Sequence, residues 1–288
     1  MMSSQLLVSI LIPTFQQEEF IQACVDSVSN QKFDFDIEIL VGDDCSMDRT
    51  SEIVQKLAQI DPRIHLYKWA SNEGGLKNIN KLLTRASGKY IAILEGDDYW
   101  LNLEHLAKSV QYLESHPDCI FTAANYLHLS EAGLNRLQKL NTKSNKVLRY
   151  WHLALGNFIQ MGTIVYHRIY YPKIPEPYFG LSLGDYPLIL SLLSKGAGVY
   201  LPHDAMAYRI HSAGVWSGQP SKIQAEKTIE VLSQLIKQEV DPLNKVLLSS
   251  YKSKLELQID LRMNWKRLFG LGIYTALFCC RKIIIRFP

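Results

Sequence analysis

The chain has 288 residues, of which 47% are hydrophobic and 20% are charged. This composition supports a sizeable core and excludes a disordered chain, while the length allows one large domain or two smaller ones. The net charge is +3, which is too small to indicate nucleic-acid binding, so no nucleic-acid partner is expected.

The first hundred residues alternate predicted strands with predicted helices. Short apolar runs indicate buried strands, and apolar side chains spaced by three and four indicate helices. The strands are Leu6–Ile12, Ile37–Val41, Ile64–Trp69 and Tyr90–Leu94, and the helices are Glu18–Val28, Asp48–Ile60 and Leu76–Ala86. Ser46 is predicted to cap the second helix. This alternation predicts a mostly parallel sheet with helices on both faces.

The rest of the chain is less regular and ends in helices. The predicted elements are a helix over Leu103–Glu114, strands over Cys119–Ala123 and Gly162–His167, a helix over Asp185–Lys195, a strand over 199–202, a helix over Ile223–Glu239 and, after a break at Pro242, a long helix towards Phe269. The polar, lysine-rich residues 130–150 are predicted to form a loop or lid. The predicted fold class is α/β, with a mostly parallel central sheet flanked by helices and a helical C-terminal extension.

The C-terminal tail is apolar in its middle and basic at both ends. Leu268–Cys280 is uncharged, basic residues flank it, and no acidic residue follows Asp260. One interpretation is an interfacial helix on anionic lipid; the other is docking on the catalytic domain or on a partner subunit. We favour the membrane surface because every charge there is positive. The run is too short to span a membrane.

The cysteines and the N-terminus indicate the compartment. Five cysteines are scattered without a CxxC spacing, which excludes a zinc ribbon and argues against a disulfide scaffold. No basic segment precedes the first apolar run, and Pro13 interrupts it, which is unlike a signal peptide. A reducing, cytoplasmic location is therefore expected.

Two acidic pairs follow predicted strands, at the sheet edge where open α/β sheets bind ligands. Asp43 and Asp44 follow the second strand, and Asp97 and Asp98 follow the fourth, with Glu95 just before them. Adjacent carboxylates repel and need a cation or several donors to stay ionised. The alternative for each pair is an ordinary turn or helix cap.

Motifs of other enzyme classes are absent from the sequence. It contains no GxGxxG and no GxxxxGK[ST], so the dehydrogenase and P-loop interpretations are weak. It also contains no HExxH and no GxSxG, which argues against a zinc protease and an α/β-hydrolase.

The sequence resembles the family-two inverting glycosyltransferases, which have the A-type glycosyltransferase fold, and in particular those that build bacterial cell-surface glycans. The resemblance lies in VSILIPTFQQEEFIQACVDSV, IEILVGDDCSMDRT, NEGG and GKYIAILEGDDYW, and it resumes at GDYPL and at Tyr208–Gly218. A nucleotidyltransferase would instead need a glycine-rich basic loop after the first strand, where PTFQQEEF is acidic. An inactive nucleotide- or sugar-binding module is the remaining alternative.

The resemblance implies a nucleotide-sugar donor site in the first half of the domain. Pro13, Thr14 and Phe15 would line the base pocket. Asp44 would bond the base, with Asp43 as its neighbour. The implied donor is a UDP-sugar.

The same resemblance implies the metal and phosphate contacts. Asp97 would lie near the ribose or sugar, and Asp98 would hold a divalent metal, Mn²⁺ or Mg²⁺, on the diphosphate. His211 would add a metal or diphosphate contact, although a histidine bonded to backbone is the alternative. Arg209 would pair with phosphate.

Two positions depart from the family pattern. Ile79 in NEGGLKNIN occupies a position where the family often has arginine. Lys77 would replace its charge but not its bidentate geometry. Cys45 replaces the common glycine after the first acidic pair, which leaves the backbone path there open.

Asp185 matches the position of the family's catalytic base, which would deprotonate the acceptor hydroxyl in a single inverting displacement; a helix cap is the alternative. Glu95, Trp100 and Trp216 are candidate donor or acceptor contacts. Core packing is the other interpretation for Trp100, whereas Trp216 lies in a glycine-rich segment, Ala213–Gly218, that is predicted to act as a lid.

The predicted organisation follows from these assignments. Residues 1–220 would form the catalytic domain, with a nucleotide-binding half over 1–100 and an acceptor half over 101–220. Residues 221–288 would form the helical extension and its tail. The expected acceptor is a glycan or lipid-linked glycan at the inner face of the cell membrane, where the enzyme would be peripheral.

Overall fold

A computed structural model of the chain describes residues 7–136, 142–211, 214 and 216–270, with side chains to residue 260. The strands are β1 (Val8–Thr14), β2 (Ile37–Asp43), β3 (Ile64–Lys68), β4 (Tyr90–Ile93), β5 (Tyr99–Trp100), β6 (Cys119–Ser130), β7 (Gly133–Asn135), β8 (Lys146–Leu148), β9 (Val165–His167) and β10 (Ala197–Arg209). The α-helices are α1 (Ile21–Ser29), α2 (Thr50–Ile60), α3 (Gly75–Leu83), α4 (His105–Ser115), α5 (Tyr150–Ala154), α6 (Asp185–Leu193), α7 (Ser221–Gln238) and α8 (Pro242–Gly270).

The strands form one sheet in the order β3-β2-β1-β4-β9-β6-β10-β5, with β7 beside β6 and β8 beside β10. The first four strands are parallel, as predicted. The second half of the sheet is mixed, because β9 runs antiparallel to both β4 and β6. β10 is parallel to β6, so its carboxyl end lies at the same edge as those of β1, β2 and β4.

Helices cover both faces of the sheet, which confirms the predicted α/β fold class. β1 is buried along its whole length, as a strand covered on both faces must be. The apolar face of α1, which includes Cys24 and Val28, packs on one side with β1 residues such as Ile10. α3 packs Ile79 and Leu82 against the other side. The two layers hold the strand ends rigidly at the shared edge.

The second half of the sheet contains more strand than the sequence indicated. β6 and β10 extend well beyond the predicted 119–123 and 199–202, because they pair with each other over most of their length. β5 was not predicted. The prediction of a loop over 130–150 is wrong in part, since β7 and β8 lie within it, while residues 137–141 lie outside the described part. Polar, half-exposed side chains and Pro202 hide these strands from pattern analysis.

The C-terminal helices pack against α5. Tyr150 donates a hydrogen bond through its hydroxyl to Glu239 Oε2 (2.8 Å) at the end of α7. Asp241 caps α8, accepting the Asn244 N–H (2.9 Å), and Pro242 begins that helix. Among the described residues, no helix is long and apolar enough to cross a membrane. The tail after residue 270 lies outside the described part.

Candidate active site

The first acidic residue after β2, Asp43, organises the turn into α2. Its carboxylate accepts the Ser46 N–H (3.1 Å), the Ser46 hydroxyl and the Ser51 hydroxyl. The prediction that Ser46 caps α2 is wrong, because α2 begins at Thr50 with Arg49 at the N-cap position. Asp48 instead accepts the Thr50 N–H (3.0 Å). Asp43 therefore acts as a turn residue, which is the alternative given for it in the sequence analysis.

Asp44 connects this turn to the loop before α3. Its buried carboxylate accepts the backbone N–H groups of Glu73 (3.0 Å) and Gly74 (2.7 Å). These are charge-assisted bonds, which are stronger than neutral ones. The NEGG motif thus supplies two backbone donors that hold the Asp44 carboxylate at the sheet edge.

The end of β1 lies between the two acidic loops. Thr14 O accepts the Asp44 N–H (2.9 Å), and Pro13 O accepts the Gly96 N–H (3.1 Å) from the second loop. Phe15, the next residue, is exposed. The structure therefore brings Pro13, Thr14, Phe15 and Asp44 together, as the resemblance implies for a base pocket.

Asp97 and Asp98 meet the end of β10. Asp98 is buried, and its Oδ1 accepts the Arg209 N–H (2.8 Å), while its Oδ2 has no hydrogen-bond partner in the described part of the chain. Arg209 Nε donates to Asp97 O (2.7 Å), and the guanidinium lies 4.7 Å from the Phe20 ring centroid. His211 Nε2 lies 3.1 Å from Asp97 Oδ2. Arg209 and His211, which lie more than 100 residues further along the chain, thus contact the second acidic pair.

Four carboxylates share this region. Burial, then the Asp97 and Asp185 charges, raises the pKa of Glu95 to about 8. Burial, then Asp97 and Glu95, raises the pKa of Asp98 well above its ordinary value, although Arg209 opposes the shift. Glu95 Oε2 is also buried without a partner among the described side chains. The arrangement favours a positively charged ligand, which would relieve this repulsion.

Asp185 is the first residue of α6 and faces the same cluster. Its Oδ1 accepts the Tyr186 N–H (2.8 Å), and its Oδ2 accepts Asn157 Nδ2 (2.6 Å). Burial raises the pKa of Asp185 to about 6, while the Tyr186 N–H and the Asn157 amide oppose that rise. Asn157 lies in an irregular segment without a motif, so nothing in the sequence indicated it.

The residues present fit a divalent cation that also binds a diphosphate. Over the described ranges, no group of three or more Asp, Glu, His and Cys side chains is arranged to hold a metal alone. Asp98 nevertheless offers an unpartnered buried oxygen beside Asp97 and His211. Mg²⁺ sites commonly use one or two carboxylates, with phosphate oxygens completing the ligand set. The donor set is therefore consistent with such a shared site.

The two departures from the family pattern have structural consequences. Cys45 adopts φ +68°, a left-handed conformation that glycine accepts more readily. The backbone there follows a path suited to glycine despite the substitution. Ile79 is buried in the core, so the usual arginine position holds an apolar contact. Lys77 lies in the first turn of α3, close enough to help lower the pKa of Glu73 after Lys81.

The two tryptophans have different environments. Trp100 is 3% exposed, and its indole N–H donates to Gly162 O (2.7 Å), so core packing is the interpretation that the structure supports. Trp216 is half-buried, and its carbonyl accepts Gln224 Nε2 (3.0 Å). Three residues of the predicted lid, at 212, 213 and 215, lie outside the described part, so the lid stays a prediction.

Comparison with known proteins identifies relatives of the chain. The profile for "Glycosyl transferase family 2" matches residues 9–171, a range that ends before Asp185. An uncharacterized protein of Mycobacterium tuberculosis is 30% identical over 210 residues, which are 72% of this chain and 60% of that protein. The chain thus spans 60% of the length of this relative. The Escherichia coli UDP-Glc:alpha-D-GlcNAc-diphosphoundecaprenol beta-1,3-glucosyltransferase WfaP is 29% identical over 73% of this chain and 79% of its own.

Solved structures share the fold at low sequence identity. Staphylococcus aureus TarS 1–349, solved in complex with UDP-GlcNAc, has a TM-score of 0.67 at 17% identity and covers 94% of this chain and 77% of its own. The mannosyltransferase PcManGT of Pyrobaculum calidifontis, in complex with GDP-Man and Mn²⁺, has a TM-score of 0.64 at 14% identity. It covers 95% of this chain and 82% of its own. The likeness extends over nearly the whole chain.

Proposed function

Because the chain belongs to glycosyl transferase family 2, we propose that it is an inverting glycosyltransferase that moves a sugar from a UDP-sugar to a hydroxyl of a lipid-linked glycan. The observation that carries this proposal is the bond between Asp98 and Arg209 at the sheet edge that also carries Asp44, with Asp185 close enough to raise the pKa of the neighbouring Glu95. The name of the relative WfaP supports both the UDP donor and the diphosphate-linked lipid acceptor.

The donor would bind along the carboxyl ends of β1, β2 and β4. Pro13, Thr14 and Phe15 would contact the base, with Asp44 bonding its edge. Lys77 in the first turn of α3 would add positive charge nearby. Asp43 would act indirectly, by fixing the turn that carries Asp44.

Asp98 and His211 would hold a divalent cation, Mn²⁺ or Mg²⁺, with the diphosphate, and Asp97 would lie near the ribose or sugar. When bound, this cation offsets the negative charge that develops on the leaving group. The Mn²⁺ in the PcManGT complex supports this assignment. Arg209 would orient the diphosphate, since its guanidinium is fixed by Asp97 O and by the Phe20 ring.

Asp185 would act as the general base. The acceptor oxygen attacks the anomeric carbon, its proton passes to Asp185, and the bond from that carbon to the diphosphate oxygen breaks on the opposite face. An α-linked donor thus gives a β-linked product. Glu95 and Trp216 would contact the sugar or the acceptor around this carbon.

The proposed organisation has a catalytic domain over residues 1–220, with the nucleotide-binding half in 1–100 and the acceptor half in 101–220. The extension over 221–288 would end in a tail that lies on the membrane surface. We propose a peripheral enzyme at the cytoplasmic face of the cell membrane, where a lipid-linked acceptor is available. The basic and apolar composition of the tail supports this location.

Calorimetric titration tests the donor site. UDP, GDP and dTDP are titrated into the protein with and without Mn²⁺, and the series is repeated on Asp98→Asn. We expect metal-dependent UDP binding that weakens in Asp98→Asn. Asp185→Asn is the matched control, because it should keep nucleotide binding and lose sugar transfer. If the folded protein binds no nucleotide under either condition, the transferase proposal is wrong and a binding module becomes the better hypothesis.

A further inference from the structure

α5 and its C-cap residue, Leu155, expose two large apolar side chains. Trp151 and Leu155 are 54% and 53% exposed, and their spacing of four places them on the same side of the helical turn. The opposite side buries Tyr150 and Leu153. Arg149 lies above the Trp151 ring, 5.8 Å from its centroid. A tryptophan half in solvent beside a cation is typical of side chains at a membrane interface.

The surrounding sequence has only positive charge. Every charged residue between Glu131 and Glu176 is Lys or Arg. Lys143, Lys146 and Arg149, which lead into α5, are exposed. This bias extends on both sides of α5 along the sequence, so the segment that carries α5 has an excess of positive charge that the net charge of the chain conceals.

The acidic residue that bonds α5, Glu239, already has several donors. Glu239 accepts the Tyr150 hydroxyl (2.8 Å) and the N–H groups of Val240 (3.0 Å) and Asp241 (2.9 Å). Its charge is thus spread over local donors. The same α7–α8 turn exposes Val240 and Leu243, which add apolar surface near the start of α5.

This surface lies next to the proposed base. Asn157, two residues after Leu155, donates to Asp185 Oδ2 (2.6 Å). A bilayer that contacts α5 would therefore face the acceptor side of the site. An acceptor that remains anchored in lipid must present its hydroxyl from that direction.

We propose that the exposed surface of α5, formed by Trp151 and Leu155 with Lys146 and Arg149, docks on an anionic lipid bilayer. The two apolar side chains insert at headgroup level, and the two cations contact lipid phosphates. This contact is separate from the C-terminal tail. The biological purpose of this docking rests on the proposed lipid-linked acceptor. The docking itself can be tested without it, because binding to vesicles needs no sugar donor and no turnover.

Co-sedimentation of the full chain with vesicles tests the docking. Vesicles of phosphatidylglycerol with phosphatidylcholine are compared with phosphatidylcholine alone. We expect the double variant Trp151→Ser, Leu155→Ser to bind anionic vesicles at least tenfold more weakly, a change of about 1.4 kcal/mol. Lys146→Gln with Arg149→Gln should weaken binding at least about fivefold and reduce its salt dependence. Ile60→Ser removes a similarly exposed apolar side chain on α2 and should change nothing.

A second measurement separates α5 from the tail without disturbing the fold. Brominated lipids should quench tryptophan emission of the wild-type chain, and Trp151→Phe should remove part of that quenching while binding persists. The proposal is overturned if the wild-type chain does not bind anionic vesicles. It is also overturned if the double variant binds as well as the wild type, or if Trp151→Phe leaves the quenching unchanged. These results would leave the nucleotide titration, and the transferase proposal, unaffected.

Discussion

Replacement of Asn157 by alanine should change the pH dependence of transfer. Asn157 Oδ1 accepts the Ile159 N–H (2.9 Å), which fixes the amide so that Nδ2 points to Asp185 Oδ2 at 2.6 Å. This bond stabilises the ionised carboxylate, whereas burial destabilises it and raises the pKa of Asp185 to about 6. A base must be ionised to accept a proton, so the rate should fall as the pH drops through that pKa.

The size of the change follows from the strength of the bond. A hydrogen bond to a charged group contributes about 1.5–3 kcal/mol, and one pKa unit corresponds to about 1.36 kcal/mol. Without Asn157, the pKa of Asp185 should therefore rise by about one to two units, to about 7–8. The sign is upward because the variant loses a donor to the ionised form. At pH 7 the rate should fall about two- to tenfold, and it should recover near pH 9.

The assay is kcat/KM for sugar transfer measured between about pH 5 and pH 9. Asn125→Ala is the matched control: Asn125 Oδ1 accepts the Tyr200 hydroxyl (2.7 Å), and Asn125 is not among the donors to the Asp185 carboxylate, so its loss should leave the acidic side of the pH–rate profile unshifted. UDP affinity should be unchanged in both variants. The role assigned to the Asn157–Asp185 bond would be refuted if the rate fell equally at every pH. It would also be refuted if the acidic side of the pH–rate profile did not shift.

Three further substitutions test the site and its scaffold. Asp44→Asn removes the charge that the Glu73 and Gly74 N–H groups stabilise, and it should weaken UDP binding about tenfold in calorimetry; unchanged affinity would contradict the base contact. Cys45→Gly should raise Tm by about 1–3 °C. Glycine relieves about 1–2 kcal/mol of left-handed backbone strain, which exceeds the stability lost because glycine makes the unfolded chain more flexible. A lower Tm in calorimetric scans would argue against strain at Cys45. Gly96→Ala would place a Cβ against Thr14 Oγ1, and it should cost about 1–3 kcal/mol of stability in denaturant unfolding and weaken nucleotide binding; wild-type behaviour would show that the loop adapts freely.

The acidic pairs of the candidate site were predictable because they are close in sequence to buried strands. Apolar runs marked β1, β2 and β4, and the acidic pairs follow β2 and β4 directly. Carboxyl ends of parallel strands share one edge, so the proximity of Asp44 and Asp98 to Thr14 followed from the strand pattern alone. The roles proposed for these residues came from the resemblance to family-two glycosyltransferases, because residue spacing alone does not indicate them.

The second half of the sheet was less predictable because its strands are stabilised by long-range pairing. β6 and β10 include half-exposed polar residues, and Pro202 of β10 lies within a register shift between Leu201 and Asp204. Local apolar patterns therefore marked only residues 119–123 and 199–202 of these strands. Their length nevertheless decides that Arg209 meets Asp98.

The sequence by itself determined the fold class, the buried strands and the two acidic pairs, because alternating apolar runs and strand-end positions are local properties. Only the tertiary structure decided which donors face each carboxylate. Asn157 reaches Asp185, and Gly74 reaches Asp44, through contacts 28 and 30 residues apart. Burial and neighbouring charge, which set the pKa of Asp185, likewise exist only once distant segments have packed together.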